Sequence, residues 1–384
     1  MKVLSVAWVI YDSRIQQFSG NCTGAGLVIK NICEYIGKKI ESYLLVGGFE
    51  LPSMCLGNIN IVETKDVEYT QIEGKNNRIE KMLCAFRKAL NEIKPDIVNF
   101  HGNGDFAQLC MCICIDEKIP FVYTSHLHIG LEQTIDKYER SVDWEKKLYI
   151  LPDLNIIAVS TGMKKKILRD YPHISPDKIV VIKNGTDFKA QSIENDIREK
   201  NNIKNKKILM CVGTICARKN QLQLVRTFKM LPKEVQDNVV IIFCGKDSME
   251  SALQQAIINA DLQEKLIYVG AISSEEMKKY YSIADGLVLP SLAEGLSIAM
   301  LESIAYGLPL IMYSDSECAD DLNDEEVVSF AKDRSDAALR EAIIGWFNKN
   351  WDREYIKSYS KYFSMERMAD DYIAYYKSLL IDNN

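Results

Sequence analysis

The chain has 384 residues, 47% hydrophobic and 26% charged, an ordinary balance for a globular protein long enough to form two domains. Its formal net charge of −6, without any large basic block, gives no electrostatic reason to expect nucleic acid as a partner. This composition excludes a disordered or fibrous chain, and no apolar run approaches the roughly 18 residues that span a bilayer.

The opening residues MKVLSVAWVI predict a buried strand and not a signal peptide, because the short apolar stretch runs directly into Tyr11 and Asp12. Eleven cysteines without paired close spacings are typical of a reducing cytoplasm. Cys110, Cys112 and Cys114 lie in the apolar run FAQLCMCICI, and no second Cys or His pair completes a tetrahedral metal site. We therefore predict a core helix there.

Apolar runs alternate with amphipathic stretches through the first half. The predicted strands are Lys2–Ile10, Ser42–Val46, Ile59–Val62, Ile97–Phe100, Phe121–Thr124, Ile156–Val159 and Ile179–Ile182, with helices near Gly26–Ile36, Arg78–Glu92 and Thr161–Arg169. This alternation predicts a doubly wound parallel sheet. The polar stretch from Asp187 to Lys206 predicts an interdomain linker.

A second alternation begins at Lys207, where KKILMCVGTI is patterned like the opening strand. Its further strands are predicted at Val239–Cys244, Leu266–Val269, Gly286–Pro290 and Leu308–Tyr313, and a last helix at Met365–Leu380. We expect two Rossmann-like halves that face each other across a crevice, with ligands at the carboxyl ends of the strands.

The stretch Ser291–Gly307, SLAEGLSIAMLESIAYG, places Glu294 in a strand-to-helix turn and Glu302 inside the helix beside its core-facing stripe. A buried carboxylate needs hydrogen-bond donors, and a ligand's hydroxyl groups are suitable ones. The amides that begin the helix form an anion seat. Either glutamate alone is better explained as a first-turn acid or the partner of a structural cation; the pair favours binding of a nucleotide-sugar.

Two glutamates eight positions apart in EGLSIAMLE, followed by Gly307, Pro309 and a strand, resemble the retaining glycosyltransferases of the GT-B fold. The likeness is to the large group numbered family four, the glycosyl transferases group 1. It implies an α/β architecture of two Rossmann-like doubly wound parallel-sheet domains facing a central cleft. Residues 1–187, completed by a C-terminal helix at about 365–384, would form the acceptor-side domain, and residues 188–364 the donor-binding domain.

The resemblance also implies the diphosphate site. Lys219 stands where the family keeps a lysine on the donor pyrophosphate. The family usually has an Arg directly after Gly213, where this chain has Thr214, and Arg218 is a neighbouring replacement. On their own, Arg218 and Lys219 would be read as solvated loop cations. With the amides of Gly295, Leu296 and Ser297, they would hold the leaving diphosphate.

The remaining site residues follow from the same resemblance. Glu302 would bind the ribose hydroxyls and Glu294, with a catalytic role, the hydroxyls of the sugar. His126 matches the family's histidine near the transferred sugar, whereas His101 is predicted to be an ordinary hydrogen-bonded loop residue, and His128 either a partner of His126 or a loop residue. Four further positions are implied as donor-binding through their backbone or their loop: Gly24, Gly26, Gly245 and Val269.

No metal or cofactor is expected, because cations and a helix dipole would neutralise the phosphates. The acids from Asp315 to Glu325 replace a Gly-rich segment common in the family. Lys164–Lys166 are either a solvated face or a contact with an anionic membrane. A cytoplasmic protein is expected, with location at the inner face of the membrane and homo- or hetero-oligomers left open.

The implied function is retaining transfer of a hexosyl unit from a nucleoside diphosphate-sugar to an acceptor hydroxyl. A UDP-sugar is the expected donor, and the acceptor is a glycan, a lipid, a protein or a small molecule. Two alternatives stay open. One is a nucleotide-sugar epimerase or phosphorylase on the same fold, and the other is a catalytically silent partner subunit.

Overall fold

The computed structural model describes residues 1–9, 24–68, 77–131, 139–191 and 193–381. The chain divides into two compact units, one formed by Met1–Gly185 with Met365–Asn384 and the other by Thr186–Ser364. Both are mixed α/β units built on a mainly parallel sheet, as the GT-B expectation requires.

The first unit contains an eight-stranded sheet. Its strands are β1 Lys2–Ala7, β2 Glu41–Val46, β3 Met54–Leu56, β4 Ile59–Ile61, β5 Ile97–Phe100, β6 Phe121–Ser125, β7 Ile156–Ala158 and β8 Ile179–Val181. They lie in the order β3-β4-β2-β1-β5-β6-β7-β8, and only the β3–β4 pair is antiparallel. The end of the predicted first strand, Ile10, lies outside the described residues.

Between these strands the described residues form helices α1 Gly24–Gly37, α2 Asn77–Ile93, α3 Asp105–Asp116, α4 Glu139–Leu148 and α5 Thr161–Asp170. The cysteine run forms α3, in which Cys110 and Cys114 are buried and Cys112 is exposed. The prediction of a core helix is therefore confirmed.

The second unit contains a six-stranded, wholly parallel sheet. Its strands are β9 Lys207–Val212, β10 Val239–Cys244, β11 Leu266–Gly270, β12 Gly286–Val288, β13 Leu310–Tyr313 and β14 Val328–Ala331. Its helices are α6 Ile197–Lys200, α7 Leu222–Met230, α8 Lys233–Asn238, α9 Ala252–Asn259, α10 Ser274–Ile283, α11 Ile298–Ala305, α12 Asp336–Asn348 and α13 Arg353–Tyr359. The sequence patterns located five of these strands, and β14 was missed.

Residues 193–206 form part of this second unit, so the prediction of a linker there is wrong. They contain α6, and Ile203 is buried. Arg198 donates to the carbonyls of Lys206 at 2.8 Å and Ile283 at 2.6 Å. The bond to Ile283 ties this charge-rich segment to the end of α10, which its composition does not reveal.

The last helix, α14 Met365–Ile381, returns to the first unit. Tyr372 and Tyr376 are fully buried, and the amide of Asn99 at the end of β5 donates to the Tyr376 hydroxyl at 2.7 Å. A helix at the end of the chain therefore completes the core of a unit formed at its beginning.

Candidate active site

The strand order of each unit predicts where a ligand binds. In the second unit the chain runs from β9 outward through β10 and β11, then restarts on the other side of β9 with β12. Loops that leave two such neighbouring strands diverge and open a crevice at their carboxyl ends. The loops after β9 and β12 hold Arg218, Lys219 and Glu294, so three predicted site residues lie at this switch point.

Close backbone packing shapes the edge beside these loops. The amide of Gly213 donates to the Cys244 carbonyl and that of Gly245 to the Gly270 carbonyl, each at 2.8 Å. Gly245 has φ +155°, and a Cβ there would lie 2.0 Å from the Gly213 oxygen. Only glycine fits this position without a shift of the loop that precedes Thr214.

Arg218 and Lys219 meet Glu294 in the structure. Both cations belong to a short 3₁₀ turn, Ala217–Lys219. The Lys219 ammonium contacts Glu294 Oε2, and Arg218 Nη1 lies 3.4 Å from the same oxygen and donates to the Ala293 carbonyl at 2.6 Å. All three side chains are largely buried: Lys219 is 9% exposed, Arg218 16% and Glu294 13%. Burial opposes ionisation of Glu294, but the two cations outweigh it and lower the pKa of this carboxyl.

The acidic segment after β13 braces the Glu294 loop. Glu317 Oε2 accepts the backbone N–H of Glu294 at 3.0 Å. Arg334 donates to the Leu292 carbonyl at 2.6 Å and to Asp315 at 2.9 Å. Sequence analysis left these acids without a role. The available signal was their place directly after a strand, because such residues lie at the ligand-binding edge of a parallel sheet.

Glu302 lies on α11 in a different environment from Glu294. Ser297 occupies the N-cap position of this helix, and its side chain caps no amide. Glu302 is half-buried and accepts a hydrogen bond from the Tyr281 hydroxyl at 3.0 Å. Burial, with a smaller contribution from the charge of Asp187, raises the pKa of Glu302 to about 7, although the Tyr281 bond acts in the opposite direction. Glu302 therefore titrates near neutrality.

Gly295 and Leu296, between Glu294 and the start of α11, are buried. The amides of its first turn have no acceptors within the helix and carry the positive end of its dipole. The cations Arg218 and Lys219 lie beside this loop, because both contact Glu294. Val269 lies in β11 and is half-buried.

The predicted glycines and the lysine cluster of the first unit lie on helices α1 and α5. Gly24 and Gly26 belong to the first turn of α1, the helix predicted near Gly26–Ile36, and Gly20 to Thr23 lie outside the described residues. Lys164 donates to the Pro176 carbonyl at 2.9 Å and Lys166 to the His128 carbonyl at 3.3 Å. These two lysines thus anchor backbone within the unit.

The histidines that follow β5 and β6 are buried or half-buried. His101 Nδ1 and His126 Nε2 lie 3.0 Å apart, so His101 is a hydrogen-bonded loop residue as predicted, with His126 as its partner. His128 lies between two carboxylates, with Nδ1 3.1 Å from Glu145 and Nε2 3.0 Å from Asp170. Burial lowers the pKa of His128, but both carboxylates outweigh it and raise the value above the usual range. His128 therefore anchors the loop of His126 to α4 and α5.

Among the described residues, no group of three or more His, Cys, Asp or Glu side chains is placed to hold a metal ion. The same part of the chain contains no helix with the length and apolar character needed to cross a bilayer.

Two family models match the chain. The model described as "Glycosyltransferase Family 4" matches residues 23–190, and that described as "Glycosyl transferases group 1" matches residues 193–363. The first match begins just before α1 and contains strands β2 to β8 of the first unit. The second match contains Arg218, Lys219, Glu294 and Glu302.

Individual proteins agree with these models. An uncharacterized glycosyltransferase of Methanocaldococcus jannaschii is 25% identical over 82% of this chain and 80% of its own. The UDP-Gal:alpha-D-GlcNAc-diphosphoundecaprenol alpha-1,3-galactosyltransferase of Escherichia coli is 26% identical over 74% of this chain and 70% of its own. A crystal structure of Anabaena HepE with UDP and glucose superposes with a TM-score of 0.73, at 15% identity, over 98% of this chain and 100% of that one. The chain is therefore similar to glycosyltransferases in both of its units, the first matching the "Glycosyltransferase Family 4" model and the second the "Glycosyl transferases group 1" model.

Proposed function

We propose that this protein transfers a hexosyl unit from a nucleoside diphosphate-sugar to an acceptor hydroxyl, with retention of anomeric configuration and without a metal ion. The observation that carries the proposal is the cluster of Arg218, Lys219 and Glu294 beside the start of α11, at the switch point of a parallel sheet. The second unit is the donor-binding part in this proposal, and the first unit is the acceptor side.

The cation pair and the helix start fit a diphosphate. Phosphate oxygens accept charge-assisted hydrogen bonds from Arg and Lys, and helix amides attract the same negative charge. Glu294 already contacts both cations in the structure. An arriving diphosphate would take over the cations and release the carboxylate of Glu294, which would then accept hydrogen bonds from hydroxyls of the sugar.

Glu302 fits the ribose. A carboxylate accepts bonds from two vicinal hydroxyls, and a half-buried position limits competition from water. Its pKa of about 7 reflects a carboxyl that burial leaves short of donors in the unliganded protein. The ribose hydroxyls would supply those donors.

Catalysis would rest on stabilising the charge that develops on the leaving diphosphate. The bond between the anomeric carbon and the phosphate oxygen breaks while the acceptor oxygen attacks from the same face, and a phosphate oxygen takes the acceptor's proton. Donors fixed in advance at such a developing charge are worth about 3–4 kcal/mol each. Arg218, Lys219 and the first amides of α11 are the donors available here.

A UDP-sugar is the proposed donor. The related galactosyltransferase is named for UDP-Gal, and the Anabaena structure of the same fold contains UDP and glucose. The acceptor is a hydroxyl of a glycan, lipid, protein or small molecule, and the lipid diphosphate sugar in the galactosyltransferase's name makes a lipid-linked glycan the first one to assay.

Calorimetric titration with UDP, GDP and ADP tests the donor proposal. Lys219→Met should weaken UDP binding by about 2 kcal/mol, roughly 30-fold, because it removes one charge-assisted bond to phosphate. Transfer should fall by about 100-fold or more. Lys204→Met is the matched control, since Lys204 is exposed and precedes β9, whereas Lys219 follows it. Equal losses in both variants would contradict the role of Lys219.

Removing Lys219 also deprives Glu294 of a partner, and a buried carboxylate left without compensation costs stability. The double variant Lys219→Met/Glu294→Gln separates the two effects, because it removes both charges and should fold with near-normal stability. Product NMR then decides the stereochemistry: an inverted linkage overturns retention. If an epimer of the donor sugar appears without acceptor, the protein is an epimerase; if cleavage of the donor depends on phosphate, it is a phosphorylase. Tight UDP binding with no turnover would favour the catalytically silent subunit.

A further inference from the structure

The two carboxyl oxygens of Glu302 have different surroundings. The hydroxyl of Tyr281, on α10, donates to Oε2 at 3.0 Å. Within the described part of the chain, Oε1 accepts no hydrogen bond and is not among the fully enclosed polar atoms. Tyr281 is fully buried, whereas Glu302 is half-buried. The protein therefore holds one oxygen of this carboxyl and leaves the other to a ligand or water.

Aromatic packing fixes the position of the Tyr281 hydroxyl. The ring of Tyr281 meets that of Phe188 nearly edge-on, with centroids 5.9 Å apart, and lies 5.6 Å from that of Tyr306. Phe188 and Tyr306 also contact each other, with centroids 5.6 Å apart. Because each of the three rings packs against the other two, Tyr281 cannot rotate away from Glu302 without disturbing the cluster.

The hydroxyl of Tyr281 acts as a donor to Glu302 and keeps its proton. Burial and the nearby charge of Glu302 raise the pKa of Tyr281 well above its usual value. A donor that bonds to a carboxylate favours its ionised form, so this contact opposes the effect that burial and the charge of Asp187 have on the pKa of Glu302. The other ionisable side chains around this cluster are those of Tyr306, Lys278 and Glu275. Asp187, Lys278 and Glu275 are unchanged in every variant below, so their titration cancels.

Holding the carboxyl in place favours the binding of a diol. A free glutamate side chain has several rotatable bonds, and a ligand that has to order them loses affinity. Tyr281 orders the end of the Glu302 side chain before a ligand arrives. Oε1 and the second lone pair of Oε2 remain as acceptors, which suits two neighbouring hydroxyl groups such as those of ribose.

We propose that Tyr281 is a positioning residue for the nucleotide: its hydroxyl holds Oε2 of Glu302, so that the carboxylate is oriented for the ribose hydroxyls of the donor. This inference rests on the proposed function, in which Glu302 binds the ribose, and adds a residue that is too deeply buried to touch the ligand itself. The alternative is a bond that only ties α10 to α11, and the pH dependence of binding separates the two.

Tyr281→Phe keeps the ring and removes only the hydroxyl. Loss of a hydrogen bond to the charged form should raise the pKa of Glu302 from about 7 to about one unit higher. The ionised fraction at pH 7 then falls from about one half to about one tenth, so calorimetry should show UDP affinity reduced about fivefold. Tyr306→Phe is the matched control, because it removes a hydroxyl from the same cluster but no bond to Glu302. Unchanged affinity in Tyr281→Phe, or an equal loss in Tyr306→Phe, would overturn the proposal.

The pH profile identifies the group through which Tyr281 acts. As pH is lowered, the affinity of the wild type for UDP should fall below about pH 7 relative to that of Glu302→Gln, and in Tyr281→Phe this fall should begin about one pH unit higher. The same substitution made in Glu302→Gln should leave the pH profile where it is, because Gln does not ionise. An equal shift in that background would mean that another group titrates, and it would overturn the proposal.

A modified ligand tests the part played by the ribose. The ratio of wild-type affinity to Tyr281→Phe affinity should be smaller for 2′-deoxy-UDP than for UDP, because the deoxy ligand offers Glu302 one hydroxyl fewer. An equal ratio for the two ligands would overturn the proposal, since Tyr281 would then act on binding by some other route.

Urea denaturation tests the contact without any ligand. The difference in unfolding free energy between Tyr281→Phe and Tyr281→Phe/Glu302→Gln should keep falling to a pH about one unit higher than the difference between the wild type and Glu302→Gln. Identical pH dependence of the two differences would overturn the proposal. Failure of the wild-type protein to bind UDP would defeat the proposed function, while this measurement would still decide whether Tyr281 holds the ionised carboxyl.

Discussion

Glu302→Gln tests whether the carboxyl of Glu302, on α11, keeps its proton in the folded protein. Burial raises the pKa of Glu302 from 4.5 to about 7, so between these two values the folded protein keeps a proton that the unfolded chain has lost. The unfolded state is then increasingly favoured as pH rises. A difference of 2.5 pKa units corresponds to about 3 kcal/mol, present below pH 4.5 and lost by the time pH passes 7. Gln has the same shape, still accepts from Tyr281 and does not titrate.

Urea denaturation of both proteins from pH 4.5 to 8 measures this contribution. The free energy of unfolding of the wild type, relative to Glu302→Gln, should fall by about 3 kcal/mol across that range. Glu264→Gln is the matched control, because Glu264 is exposed on the same unit and its removal should leave the pH profile unchanged. Parallel profiles for the wild type and Glu302→Gln would refute the buried, proton-holding state of Glu302.

Ligand binding gives the second half of the same prediction. If ionised Glu302 accepts the ribose hydroxyls, UDP binding must displace its proton below pH 7. As pH is lowered below 7, the affinity of the wild type for UDP should then fall, relative to that of Glu302→Gln, by up to tenfold per pH unit, as linkage requires. Titration of the UDP phosphate affects both proteins equally and cancels in the comparison. Replacing UDP with 2′-deoxy-UDP should remove much of the wild-type advantage at pH 8; an undiminished advantage would show that the ribose does not contact Glu302.

Three further variants test the neighbouring loops. Glu294→Gln should strengthen UDP binding, measured by calorimetry, because the cations no longer have a competing carboxylate. The same variant should lower the rate of sugar transfer. Weaker UDP binding by Glu294→Gln would contradict this exchange of partners. Gly245→Ala should cost about 2 kcal/mol or more in urea denaturation, since its Cβ meets the Gly213 oxygen, whereas Gly24→Ala, where nothing lies within 4 Å, should be nearly neutral. Glu317→Ala should cost about 1–3 kcal/mol by leaving the Glu294 amide without its acceptor, and Glu317→Gln should restore most of that loss; equal losses would refute the brace.

The fold could be predicted from the sequence because its strands are strongly patterned. Strands buried on both faces read as short continuous apolar runs, and VVIIFC at Val239–Cys244 is fully buried as that pattern indicates. The short strand β3 and the edge strand β14 lack so clear a run and were missed. The sequence predicts a linker before β9 because the attachment of this segment depends on the bond from Arg198 to the Ile283 carbonyl and on the burial of Ile203, which polar composition does not show.

The positions of site residues could be predicted from the sequence only where they depend on the strand or helix that carries the residue. Arg218, Lys219 and Glu294 were placed at strand ends, and their meeting follows from the neighbouring positions of β9 and β12. The contact of Glu302 with Tyr281 joins residues 21 positions apart on two helices, and its register is set by packing. The partner of His101 depends in the same way on the pairing of β5 with β6. Such contacts are products of tertiary structure and have no local signature.

The two glutamates of the motif show why sequence spacing is not enough to assign chemistry. They are the same residue type eight positions apart, yet the pKa of Glu294 is lowered and that of Glu302 is raised. Burial acts on both in the same direction, so the difference comes from their partners. Two cations contact Glu294, whereas Glu302 has a phenol hydroxyl and the charge of Asp187 nearby. One carboxylate is therefore already compensated and must exchange partners when an anion binds, while the other can still gain donors from a ligand. This asymmetry supports placing the diphosphate at Glu294 and the hydroxyl-rich ribose at Glu302, because the reverse assignment would set the diphosphate against an acid without a cation.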